Sequence, residues 1–113
     1  MSQTIKHPKS QEELNAILAE AGSKLVVIDF FATWCGPCRL MTPKFNKLAD
    51  EFADPIYVGI DVDEHEHIAA NYEINVMPTF VFFKDGKKLT VIEGNNYEEL
   101  RKTIESNKLR NLY

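Results

Sequence analysis

The chain has few cysteines, no long apolar run and no excess of positive charge, and each absence narrows what it can be. No apolar stretch approaches the about 20 residues that a bilayer-crossing helix needs. Residues Met1 to Pro8 lack the apolar segment of a secretory signal. The expected compartment is therefore the reducing cytoplasm. Net charge is −4, from 13 Lys and Arg against 17 Asp and Glu, and the acidic residues are dispersed. That balance disfavours nucleic acid and anionic membranes as partners. The sequence has no internal repeat, low-complexity tract or linker. Its 113 residues suffice for one core and are too few for two, so a single domain over residues 1–113 is expected.

Cysteine is the informative scarcity. The only two are Cys35 and Cys38, in Trp34-Cys35-Gly36-Pro37-Cys38. In a reducing compartment such a pair is rarely a structural staple and more often catalytic or metal-binding. Zinc would need two further ligands, and His7, His65 and His67 stand at no spacing that completes a Cys-x-x-Cys site. Arg39, not His, follows Cys38, which excludes c-type haem attachment. No metal is expected. A covalent dimer would have to consume the same pair, so a monomer is expected.

Several elements are legible around that motif. Ser10 with Glu13 forms a capping-box pattern, Leu14, Ile17, Leu18 and Ala21 lie at helical spacing, and Gly22 closes the helix. Leu25 to Phe31 has the length and β-branched content of a central strand. A second helix is predicted from near Cys35 to about Glu51, with Leu40, Met41, Phe45, Leu48, Ala49 and Phe52 on its apolar face and a kink at Pro43. Ile56 to Val62 reads as a strand, followed by a short helix from about Glu64 to Tyr72. Asp85-Gly86 between Thr79–Phe83 and Leu89–Glu93 is a hairpin signal. Asn96 with Glu99 caps a last helix that turns Tyr97, Leu100 and Ile104 inward. Gln3 to Lys6 is a candidate edge strand, stopped by Pro8. This order predicts an α/β sandwich, a mixed sheet covered on both faces.

A Cys-x-x-Cys pair spans one helical turn, so its sulfurs can join at low strain. Placed where a strand gives way to a helix, the pair suits thiol–disulfide exchange. Cys35 at the helix N-terminus is the candidate nucleophile, because unpaired N–H groups and the helix dipole favour a thiolate there. Cys38, one turn on, would resolve the mixed disulfide. Pro37 fits the first helical turn, where its missing N–H costs nothing. Asp29 sits among apolar residues. Burial would raise its pKa toward the range of a general acid/base, whereas a strand-edge aspartate facing water would not be shifted.

The whole length resembles the thioredoxin family. The carrying residues are Asp29-Phe30-Phe31-Ala32-Thr33-Trp34-Cys35-Gly36-Pro37-Cys38, Pro43, Val76-Met77-Pro78-Thr79-Phe80, Gly86 and Gly94. The resemblance implies a five-stranded mixed β-sheet flanked by four α-helices on both faces. It implies a protein-disulfide reductase in cell redox homeostasis, returned to its dithiol form by an NADPH-dependent thioredoxin reductase. Its implied targets are disulfide-containing proteins such as peroxiredoxins and ribonucleotide reductase. No bound cofactor is implied beyond the Cys35–Cys38 pair. The resemblance places Asp29 beneath the cysteines, able to take the proton of Cys38. It makes Pro78 a cis proline beside them, where the residues alone allow an ordinary trans proline starting a strand. Trp34, Gly36, Pro37, Val76, Met77, Pro78 and Gly94 would form an apolar, substrate-facing patch. Gly36-Pro37 points to a reductant, since oxidising relatives typically carry Gly-His there. One departure is Gly59, where many relatives place a lysine near the buried aspartate; without that cation an elevated Asp29 pKa and a water in the freed space are expected.

Two other readings stay open. One is an oxidising or isomerising enzyme, opposed by Gly36-Pro37, by the N-terminus and by the Arg110-Asn111-Leu112-Tyr113 ending. The other is a binding module switched by the redox state of the pair. The remaining candidates read as structural. Arg39 is a solvated helix cation, His65 and His67 are surface residues, and Lys84, Lys87 and Lys88 guard a sheet edge. Phe30, Phe31, Phe80, Phe82 and Phe83 are core aromatics.

Overall fold

A mixed sheet sandwiched between helix pairs organises the chain, in a computed structural model that describes residues 5–108. The element order is α1 (Gln11–Ala21), β1 (Val26–Phe31), α2 (Gly36–Glu51), β2 (Ile56–Asp61), α3 (Glu66–Asn71), β3 (Thr79–Lys84), β4 (Lys87–Glu93) and α4 (Tyr97–Asn107). The sheet order is β2-β1-β3-β4. β1 pairs parallel with β2, while β1–β3 and β3–β4 are antiparallel. Gln3, Thr4 and the Arg110–Tyr113 ending lie outside the described residues.

Period-two alternation sorts β1 between two cores. Val27 faces α2 and α4 with Tyr57, Phe80 and Phe82, against Met41, Phe45, Leu48, Leu100 and Ile104. Val26, Ile28 and Phe30 face the other side with Val58, Ile60 and Val81, against Leu14 and Ile68 of α1 and α3. Each such side chain contributes about 1.5–3 kcal/mol relative to exposure. That packing, rather than intrinsic propensity, holds a helix as short as the 6-residue α3.

The local signals act as their chemistry dictates. Ser10 Oγ accepts from Glu13 N at 3.1 Å, and the Glu13 carboxylate reaches back to Lys9 N at 2.8 Å. Asn96 Oδ1 accepts from Glu99 N at 3.2 Å. Asp85 and Gly86 both take positive φ, 55° and 76°, as a two-residue hairpin turn requires. α2 runs on through Pro43 to Glu51.

Two expectations differ in detail from the structure. The sheet has four strands among the described residues; of the candidate Gln3–Lys6 strand, Gln3 and Thr4 are not described, and Lys6 makes a parallel bridge with Val58. Lys6 N donates to Tyr57 O and Gly59 N donates to Lys6 O, both at 2.9 Å. Pro8 then has no N–H to extend the ladder. Leu40 is 65% exposed rather than on the apolar face of α2. It lies about 100° around the helix from Met41, which takes the inward position.

Candidate active site around the cysteine pair

The turn from β1 into α2 places both sulfurs. Cys35 is the N-cap of α2, and its Sγ accepts the Cys38 N–H at 3.1 Å. That N–H is one of the donors that a helix N-terminus leaves unpaired, and it points at the sulfur where a thiolate charge would sit. Pro37 in the first turn withdraws no needed donor. The two cysteines are joined as a disulfide with Cα atoms 5.2 Å apart. Cys35 is 5% exposed and Cys38 3%. Gly36 and Pro37 are exposed beside them.

A second loop closes over the pair. The Met77–Pro78 peptide is cis, and the Met77 carbonyl oxygen lies 3.6 Å from Cys35 Sγ. Met77, Phe31 and Val62 pack against the buried cluster of Ala32, Cys35 and Cys38. The Thr79 hydroxyl donates to the Val76 carbonyl. Gly94 N donates to Pro78 O at 2.8 Å with φ at 85°, a backbone that favours glycine. Along this loop Val76 is exposed, Met77 half-buried and Pro78 buried. Of the residues expected in the patch, Pro78 therefore lies below the surface rather than on it. Trp34 is 63% exposed, and its indole Nε1 donates to Asp63 Oδ2 at 2.7 Å.

Asp29 lies beneath, on the α2 side of β1. It is 5% exposed, and its Oδ1 accepts no hydrogen bond among the described residues. Desolvation pushes its pKa from 3.8 up to about 7. It lines a cavity of about 340 Å³ with Ile5, His7, Phe31, Thr42, Phe45, Asn46 and Gly59. Thr42 ties this cavity to the cysteines, because its hydroxyl donates to the Cys38 carbonyl at 2.9 Å. Gly59 is the register partner of Asp29 on β2. The space there is shared by the His7 ring, whose Nδ1 lies 3.1 Å from Gly59 O.

Sequence reasoning missed three participants. Asp63 had a readable signal, an Asp-x-Asp at a strand end, which folds into an Asx turn with Asp63 N donating to Asp61 Oδ1 at 2.9 Å. Thr42 had the weaker signal of lying one turn beyond Cys38. His7 had none, since its partner is 52 positions away in sequence. His65 and His67 stand edge to face with ring centroids 6.4 Å apart. Among the described residues no group of three or more His, Cys, Asp or Glu converges as a metal site.

Comparison with known proteins agrees with this geometry. The thioredoxin family profile matches residues 5–106. A thioredoxin of Gallus gallus is 44% identical over 102 residues, covering 90% of this chain and 97% of that protein. The thioredoxin structure of Fasciola hepatica superposes with a TM-score of 0.90 at 41% identity, covering 92% of this chain and 100% of that one. A further structure, from work on thiol resolution in a yeast mitochondrial 1-Cys peroxiredoxin by glutathione and thioredoxin systems, gives a TM-score of 0.85 at 37% identity, covering 94% and 99%. The chain belongs to the thioredoxin family, with Cys35 and Cys38 as the pair of a thiol–disulfide oxidoreductase.

Proposed function

We propose that the protein is a protein-disulfide reductase in which Cys35 attacks and Cys38 resolves. The observation that carries this is the Cys35 sulfur at the N-cap of α2, taking the Cys38 N–H beside the Met77 carbonyl. The Cys35 thiolate attacks one sulfur of a target disulfide. A Cys35–target bond forms, the target S–S bond breaks, and the departing sulfur takes a proton. Cys38 then gives its proton to the Asp29 carboxylate and attacks Cys35 Sγ. The Cys35–Cys38 disulfide forms, the Cys35–target bond breaks, and the second target sulfur leaves as a thiolate that takes a proton from water, so two electrons pass to the target. A carboxyl with a pKa near 7 accepts that proton and returns it at neutral pH.

Trp34, Val76, Met77 and Gly94 frame the target, with Pro78 supporting them from below. The Met77 backbone offers an edge to which an extended peptide adds as a strand. Gly36 and Pro37 tune the pair toward reduction. No resident cofactor is required, since the two sulfurs hold both electrons. An NADPH-dependent thioredoxin reductase restores the dithiol in the cytoplasm, and the protein works as a monomer in cell redox homeostasis. Peroxiredoxins and ribonucleotide reductase are the target classes, the former also the subject of work on one solved relative. Insulin-disulfide reduction driven by NADPH and a thioredoxin reductase tests this. The parent turns over and Cys35→Ser does not; equal turnover by Cys35→Ser would end the mechanism.

A further inference from the structure

His7 stands outside the machinery above, yet the fold builds a place for it. The segment before Pro8 runs along β2, bonded through Lys6 to Tyr57 and Gly59. Its next side chain lies over Gly59. A Cβ at position 59 would meet His7 Cε1 at 3.0 Å and Nδ1 at 3.3 Å, so glycine is what admits the ring. Gly59 and Asp29 are partners in parallel register, and partners on neighbouring strands face the same side about 4.8 Å apart. The imidazole and the buried carboxyl therefore share one cavity wall. A carbonyl only accepts hydrogen bonds, so the Nδ1 contact with Gly59 O fixes the hydrogen on Nδ1. In the neutral ring Nε2 is then the free basic nitrogen. His7 is also exposed, so the same ring meets solvent.

We propose that His7 is the proton outlet of Asp29, passing the carboxyl's proton between the cavity and bulk water. This rests on the reductase reading, in which Asp29 takes one proton from Cys38 in every turnover and must lose it before the next. The carboxyl's Oδ1 has no hydrogen-bond partner among the described residues, so none of them takes a proton directly from that atom. A cavity of about 340 Å³ has room for bridging water, which occupies about 30 Å³ per molecule in the liquid. Apart from Asp29, His7 is the single ionisable lining residue among the described residues. α2 contributes Thr42, Phe45 and Asn46, β1 contributes Phe31, β2 contributes Gly59, and Ile5 completes the wall. Cys38, joined to that wall through Thr42, is the proton's source. The transfer is neutral in atoms: Nε2 receives the proton from the cavity side and releases it to water.

His7 acts through Asp29 and is a positioning residue in this scheme. The test is repeated turnover of a peptide disulfide at pH 7, with NADPH and a saturating thioredoxin reductase restoring the dithiol, following release of peptide thiol per cycle. His7→Ala slows that release about tenfold, less than the about 100-fold or more that a direct general base supplies. Free imidazole restores the rate. His7→Gln keeps a donor for Gly59 O and the local fold, and is equally slow. In an Asp29→Asn background His7→Ala causes no further loss. Release unaffected by both substitutions, a slow His7→Ala that ignores imidazole, or an equal loss in the Asp29→Asn background overturns the outlet. A parent protein that frees no peptide thiol overturns the reductase reading and the outlet with it, whereas an active parent indifferent to His7 overturns the outlet alone.

Discussion

The Trp34 indole is tethered by a 2.7 Å hydrogen bond to Asp63, although the ring is 63% exposed. An exposed aromatic beside a nucleophile would otherwise sample many rotamers, and target binding would have to immobilise it. Asp63 is itself fixed by the Asx turn with Asp61. Asp63→Ala is expected to lower kcat/KM for a protein disulfide about threefold, within the about 0.5–1.5 kcal/mol of one ordinary hydrogen bond. A small-molecule disulfide that does not touch Trp34 is expected to react at the parent rate. Steady-state assays on both substrates check this; equal losses on both would show that Asp63 acts on the cysteines instead.

Asp29 makes stability depend on pH in a stated direction. Its pKa is raised by burial from 3.8 to about 7. Below about pH 4 the carboxyl is protonated whether the chain is folded or unfolded. As pH rises toward 7 the unfolded chain releases the proton and the folded chain keeps it, so stability falls, and above about pH 7 the loss is complete. Roughly 3 pH units at about 1.36 kcal/mol each put that loss on the order of 4 kcal/mol. Asp29→Asn carries no such charge. Denaturant melts of the oxidised protein are expected to show the variant gaining on the parent between pH 4 and pH 8, and parallel curves would refute it.

Tyr57 locks the end of α2 from inside the core. Its hydroxyl donates to the Phe52 carbonyl at 2.7 Å, where Phe52 caps the helix. Burial pushes the phenol well above its ordinary pKa, so it stays a donor at any working pH. Tyr57→Phe keeps the edge-to-face contact with Phe45, at 5.6 Å between centroids, and loses the hydroxyl's bond to Phe52 O and its longer contact with Leu48 O at 3.4 Å. Destabilisation of about 1 kcal/mol and a Tm lowered by about 4 °C are expected. Calorimetry measures both, and an unchanged Tm would show the bond to be replaced by water.

Cys35 caps α2 and takes the Cys38 N–H on its sulfur, whereas Cys38 lies inside the first turn, so Cys35 is the sulfur assigned to targets and Cys38 the one that resolves. Cys38→Ser is expected to accumulate Cys35–target mixed disulfides, seen as adducts on non-reducing gels and abolished by dithiothreitol. Cys35→Ser is expected to accumulate none. Adducts formed equally by both variants would contradict the assigned order.

Legibility in the sequence followed the range of the interaction. Ser10 with Glu13, Asn96 with Glu99 and Asp85-Gly86 act within four residues, and each forms the structure its chemistry prescribes. The cysteine pair and buried Asp29 were likewise readable, one from spacing and one from a charge inside an apolar run. Leu40 was misplaced because an apolar residue next to an inward one fits the same composition, and only the helix phase separates them. Among the described residues the candidate first strand shows one bridge at Lys6, and Pro8 ends the donors beyond it. His7 was invisible, because its place depends on the absence of a side chain at Gly59 on another strand.

Iodoacetamide alkylation of the fully reduced protein across pH 5–10 bears most directly on the chemistry. A Cys35 held by the α2 N-terminus reacts faster than free cysteine at pH 7, with a midpoint below the about 8.5 of an ordinary thiol, and the label maps to Cys35 alone. A midpoint at about 8.5 with label shared between Cys35 and Cys38 would contradict it.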